Sequence, residues 1–172
     1  EDAAIIGEVW ENAVDKVAYG KRRSYFRGKQ LDSVMNYPLR VSLIDYATNR
    51  NCAFLANTLT ELYSSYPPQV SNVLMNIVGT HDTERILTVL GEGSDRTEGE
   101  DNDTLAIKRL SPQQLKRGIE RLKIAAALQY TVYGVPSLFY GDEAGVEGYH
   151  DPFCRLPYPW QRQNKALLAF YR

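Results

Sequence analysis

Three short apolar runs in this chain each end on groups that can move a proton or hold a charge. Ile5–Trp10 (IIGEVW) delivers one carboxylic acid, Glu8; Asn76–Arg85 (NIVGTHDTER) delivers His81, Asp82 and Arg85; Val135–Gly145 (VPSLFYGDEAG) delivers Asp142 and Glu143. A carboxyl at a strand end beside the Trp10 indole would be partly desolvated, which raises its pKa and suits it to general-acid work. The plainer reading of Glu8 is a surface glutamate at a strand end. His81 and Asp82 are adjacent, so on a strand they would face opposite sides, whereas at a strand-to-helix turn both can point into one cleft. Arg85, one helical turn on, can pair with a carboxylate or grip a substrate oxygen. The competing reading of this stretch is a helix start, with Asp82 or Thr83 as N-cap and Glu84 in the first turn. Capping and catalysis are compatible.

The elements that would position these groups alternate. Ala3–Val9 reads as a buried strand, too brief and too continuous for an amphipathic helix. A polar, basic stretch (Asp15–Gly28) leads to a second strand around Leu31, Val34 and Met35, with Asn36 and Tyr37 at its end and Pro38 stopping it or starting the next turn. From Ser42 to about Tyr66 the apolar spacing is helical, in two pieces broken near Asn49–Asn51 and ended by Pro67–Pro68. Val73–Val78 is the third strand, Asp82–Leu90 a short helix closed by Gly91, and the six-acid stretch Gly91–Thr104 an exposed loop. Ser111, Pro112 and Gln114 open the clearest helix with a capping box, and Leu115, Ile119, Leu122 and Ala126 form its inner stripe. Val135–Tyr140 is the fourth strand and Gln161–Arg172 a final helix. Strand–helix alternation predicts parallel strands with helical crossovers, and polar residues gathered at strand C-termini mark a (β/α) active-site face.

Composition narrows the options. The 172 residues carry 20 basic and 21 acidic side chains, a balance that argues against a sequence-independent polyanion binder, so no nucleic-acid partner is expected. No apolar run approaches the ~20 residues of a membrane span, so no membrane partner is expected. Two cysteines, Cys52 and Cys154, make no disulfide scaffold and no metal-ligand spacing, and their pairing stays open. Glu8, His81 and Asp82 could be imagined around a metal, but nothing supplies a further ligand at a recognisable spacing, and the acids of Gly91–Thr104 do not fall at EF-hand positions. Trp10, Tyr37, Tyr140, Tyr149 and Trp160 lie near strand ends or in the loops beyond, where rings either stack on sugar faces or pack in the core. The compartment is not readable.

Taken together, these motifs resemble the α-amylase family of glycoside hydrolases, and within it the neopullulanase, cyclomaltodextrinase and maltogenic amylase group. IIGEVW is similar to the family's general-acid strand, LDSVMNYPLR to the subgroup's sixth strand, VGTHDTER to the seventh-strand histidine–aspartate motif, and GVPSLFYGDEAGVEGYHDPFCRLPYPW to the eighth strand and its loop. The resemblance implies an α/β fold that is the second half of a (β/α)₈ TIM barrel, strands five to eight. Residues 1–172 would then be a partial catalytic domain, lacking the first four strands and any C-terminal β-domain. Four units against the ~250 residues of a full barrel agree with that, as does a start with no initiator methionine that enters a strand almost at once.

The same resemblance implies a retaining hydrolase of α-1,4 linkages, with α-1,6 linkages left open, acting on cyclodextrin, starch or pullulan, with two carboxyls about 5–5.5 Å apart. Glu8 matches the acid/base, Asp82 the aspartate that binds sugar hydroxyls, His81 the histidine on the same sugar, and Trp10 the aromatic that stacks on an acceptor. Arg85 and Tyr37 are expected to bind substrate. The nucleophile's glycine-, arginine- and aspartate-bearing motif matches no aspartate of this chain, so the isolated piece is expected to be inactive. Thr80 stands where many members carry asparagine; Arg155 matches the subgroup's loop arginine, while Leu156 departs from the usual second arginine. No cofactor is expected in this segment; calcium and a homodimeric state remain open for the parent enzyme. The alternatives are another enzyme of the family, such as a branching enzyme or an α-1,6-glucosidase, and a non-catalytic relative kept for binding or assembly.

Overall fold

The computed structural model describes residues 3–93 and 99–172. Its contacts divide into two units, one holding the chain up to Ile77 together with Leu128–Ser137, the other Val78–Ala127 and Leu138–Arg172.

The first unit is built on four short parallel strands. β1 (Ile6–Gly7) is followed by an antiparallel hairpin, β2 (Val17–Ala18) with β3 (Lys21–Arg22), before β4 (Ser33–Val34) returns to pair with β1, Ile6 opposite Ser33. Two helices follow, α1 (Tyr37–Asn49) and α2 (Cys52–Ser65), then the single turn α3 (Pro68–Ser71) and β5 (Met75–Asn76). A parallel bridge from Met35 to Met75 carries the pairing across to β5, and β6 (Val135–Pro136) completes it, Met75 opposite Val135. The expected parallel order therefore stands, but each pairing spans two residues where longer strands were expected. The strands stop early because loops and caps begin at once: Asn36, next to Met35, already caps α1 by accepting from the Leu39 amide (3.3 Å).

Two further expectations are corrected here. Helix α1 starts at Tyr37, five residues before Ser42, and Pro38 sits inside its first turn, where its missing N–H costs nothing. The β1–β4 crossover holds the hairpin and no helix among the described residues. Its sequence has no helical apolar stripe, and it turns at Tyr19 and Gly20 (φ 55° and 71°). The break near Asn49–Asn51 is present: Arg50 is left-handed, and Asn51 caps α2 through the Phe54 amide.

A buried amide network locks the strand register. Asn36 Nδ2 donates to Asn76 Oδ1 (3.0 Å), Asn76 Nδ2 to the Tyr133 carbonyl (2.9 Å), and Gln129 Nε2 to the carbonyls of Asn76 and Ser137 (2.9 Å each). All three side chains are buried, where amide donors met by fixed acceptors specify a single arrangement.

The second unit is helical: α4 (Ile86–Glu92), α5 (Asn102–Ile107), α6 (Pro112–Thr131, whose last residues fall in the first unit), a 3₁₀ turn at Phe153–Arg155 and α7 (Lys165–Tyr171). The capping box of α6 forms in both directions, Ser111 Oγ accepting from the Gln114 amide (3.3 Å) and Gln114 Oε1 from the Ser111 amide (2.8 Å). Leu122 and Ala126 of its stripe are buried, Leu115 and Ile119 half-buried. The acidic loop is corrected at its end, where Asp101 caps α5 through the Thr104 amide (2.8 Å); residues 94–98 of it lie outside the described residues. Among the described residues no helix is long and apolar enough to cross a membrane.

Glycines bring α4 and α6 together. A Cβ on Gly118 would stand 2.9 Å from the Leu87 carbonyl oxygen and 3.1 Å from Gly91 Cα. In an open helix interior Gly→Ala gains about 0.5–1 kcal/mol. Here the sign reverses: Gly118→Ala is expected to destabilise by about 1–3 kcal/mol through overpacking against backbone, read as a lower denaturation midpoint at unchanged m.

Candidate active site

Glu8 is the first residue beyond β1, at the C-terminal end of a parallel strand, where such folds carry their reacting groups. Its carboxylate accepts a hydrogen bond from the Tyr37 hydroxyl (3.2 Å). Tyr37 opens α1 just past the next strand, so the same edge that ends β1 also delivers this phenol. Trp10 stacks on the Tyr37 ring, centroids 3.9 Å apart and planes 17° from parallel. The first unit thus brings together Glu8, Trp10 and Tyr37.

Two expectations change in this cluster. Glu8 is exposed, so the shielding expected from the indole is absent; the ring that Trp10 covers is Tyr37. Tyr37 is 1% exposed and has no face to offer a sugar. Its place is beneath the site, holding the carboxylate with its hydroxyl and the indole with its ring. Trp10 keeps 49% exposure and can still present an aromatic surface.

The second unit brings together His81, Asp82 and Arg155. The helix expected from Asp82 begins only at Ile86. Side-chain turns compete with it: the Asp82 amide donates to Thr80 Oγ1 (3.3 Å) and the Thr80 amide to Thr83 Oγ1 (3.3 Å), the local bonding that draws Thr and Asp out of helix starts. The non-helical turn leaves His81 and Asp82 side by side, Nε2 3.4 Å from Oδ2. Arg155 donates to the other Asp82 oxygen (3.0 Å) and uses its Nε on Asp151 (2.9 Å). Cys154, next in chain, donates its thiol to the His81 carbonyl (3.2 Å). The 3₁₀ turn therefore grips the His81–Asp82 turn through both backbone and carboxylate. A guanidinium on Asp82 also opposes a cation at that oxygen.

Arg85 corrects the expectation of a substrate-gripping residue. It is 0% exposed, bonded through Nη1 to the Tyr140 carbonyl and paired with Asp142 (3.4 Å), its guanidinium 4.4 Å from the Phe139 ring and 4.6 Å from the Tyr140 ring. The buried role of Asp142 went unread in the sequence.

Residues 1–169 match the family model "Alpha amylase, catalytic domain". The cyclomaltodextrinase of Thermoanaerobacter pseudethanolicus is 35% identical over 99% of this chain and 25% of its own length. Neopullulanase 2 of Thermoactinomyces vulgaris is 34% identical over 99% of the chain and 24% of its own length. Among solved structures, the type III pullulan hydrolase from Thermococcus kodakarensis superposes with a TM-score of 0.75 at 31% identity, covering 99% of this chain and 26% of that one. The chain spans about a quarter of the length of these relatives. The likenesses bear out the expected α/β class of parallel strands from a (β/α)₈ barrel.

The two cysteines are both free, Cys52 exposed and Cys154 buried. Burial pushes the Cys154 thiol up, with the Asp151 carboxylate adding to it; the thiolate is the reactive form. Ellman's reagent on the native protein at pH 8 is expected to modify Cys52 within minutes and Cys154 only after denaturant is added. Rapid modification of two thiols in native buffer would contradict the grip of the 3₁₀ turn on His81.

Proposed function

This chain belongs to the α-amylase catalytic-domain family, and from that premise we propose that it supplies strands five to eight of the barrel of a retaining α-glucan hydrolase acting on cyclodextrin-, starch- or pullulan-type substrates. The observation that carries the proposal is the Glu8 carboxyl, open to solvent at the C-terminal end of a parallel strand and held there by Tyr37.

In this reading Glu8 protonates the leaving glycosidic oxygen and then, as carboxylate, takes the proton from the water that resolves the covalent intermediate. Asp82 accepts hydrogen bonds from sugar hydroxyls, and His81 contacts the same sugar. Trp10 offers its ring to the sugar on the acceptor side, as its half-exposure allows. The nucleophile is not among these residues, since no aspartate here sits in the matching motif. Hydrolysis by the 172 residues alone is therefore not expected.

Glu8→Gln, made in the full-length enzyme, is expected to lower kcat on cyclodextrin by about 10²–10⁴-fold, the usual worth of a positioned general acid. On an α-glucosyl fluoride, whose leaving group needs no proton, the formation of the intermediate should be nearly normal. Equal loss on both substrates would remove the proton-donor role from Glu8.

A further inference from the structure

The turn that carries His81 and Asp82 leaves the fold at Gly79 and re-enters it at Arg85, and both of these residues rest on one buried carboxylate. A Cβ on Gly79 would collide with the Asp142 carboxyl, so only glycine lets the backbone lie against it. Arg85 pairs with the same carboxyl and donates to the Tyr140 carbonyl, while its backbone amide donates to Gly148 (2.9 Å). Gly148 in turn donates to Thr88 Oγ1 of α4 (2.9 Å). From these contacts we propose that Arg85 and Asp142 form a positioning pair that sets where Asp82 and His81 stand for the reaction, without touching substrate.

The energetics favour a geometric role over a stabilising one. Arg85 and Asp142 are both fully buried, and Arg85 Nε and Nη2 have no hydrogen-bond partner among the described residues. A buried ion pair with donors left unmet is commonly no more stable than an apolar pair of similar size. What an apolar pair cannot reproduce is direction. The guanidinium packs against both Phe139 and Tyr140, whose rings also touch edge to face (centroids 4.8 Å apart), and its Nη1 fixes the Tyr140 carbonyl at the head of the loop that also holds Gly141 at φ 90°. A displacement of about 1 Å at a reacting centre can cost on the order of 10²-fold in rate. A turn that packs on this carboxyl at Gly79 and pairs with it at Arg85 is held against such a shift.

The inference rests on Asp82 being a site residue, so its test carries that control. In the full-length enzyme, kcat, KM and Tm are measured for Arg85→Lys, Gly79→Ala, the double variant Arg85→Met/Asp142→Leu, and Asp82→Asn. Arg85→Lys keeps the charge, loses the fork, and is expected to drop kcat about 10–100-fold with KM within about threefold. Gly79→Ala, at the other end of the turn, should show the same split. The double apolar variant should regain a Tm near that of the parent enzyme while kcat stays low. A double variant with parental Tm and parental kcat would overturn the positioning role. So would Arg85→Lys with unchanged kcat. If Asp82→Asn leaves kcat intact, the reading of Asp82 falls, and the proposal with it.

Discussion

A fully buried carboxylate has to be met by a cation or hydrogen-bond donors, and Asp142 imposes that requirement on the second unit. Arg85 pairs with it from the cap position of α4, at φ −55° and ψ 131°, outside the helix that starts at Ile86. Gly79 has to lack a side chain, and Gly141 has to lie at φ 90° beside Arg85 Nη1. The turn from Gly79 to Arg85 is then short, packed at one end and paired at the other against Asp142, and closed on itself by Thr80 and Thr83. His81 and Asp82 sit at its tip, where polar side chains can be exposed without leaving the backbone loose.

The first unit solves its own version of the problem with neutral groups. Parallel pairing sends the ends of β1 and β4 to one edge, so Glu8 and Tyr37 meet although 29 positions separate them. Tyr37 serves two neighbours at once, hydroxyl to Glu8 and ring to Trp10, and it can do so because α1 begins at that residue. Behind it, Asn36 donates to the Asn76 side chain, and Asn76 and Gln129 donate to the backbone carbonyls of Tyr133, Asn76 and Ser137. A slip of one residue would leave those amides unmet, so register and site geometry are set by the same network.

How much of this could be read from the chain differs by residue. Glu8, His81 and Asp82 were visible because acids and a histidine at the ends of apolar runs are unusual. The α6 capping box was visible because Ser111, Pro112 and Gln114 stand at fixed local offsets. Tyr37 was seen as an aromatic near a strand end, but its burial depends on Trp10 and α1, partners 27 residues back and immediately ahead. Arg85 was misread for a physical reason: an arginine near a reactive pair is usually solvated, and only the distant Phe139, Tyr140 and Asp142 provide it with a buried berth. The β1–β4 crossover breaks the regular alternation, and Tyr19–Gly20 with the lack of an apolar stripe argue locally for its hairpin.

Two carboxyl groups working in sequence leave a stereochemical mark that no binding or stability effect can imitate. A retaining hydrolase inverts the anomeric centre twice, once on forming the glycosyl-enzyme and once on resolving it. Proton NMR of the first seconds of cyclodextrin hydrolysis by the full-length enzyme, before mutarotation, reads the configuration directly. Double displacement delivers the α-anomer of the newly formed reducing end first. A β-anomer appearing first would mean a single displacement by water, and would contradict the assignment of Glu8 to a double-displacement mechanism.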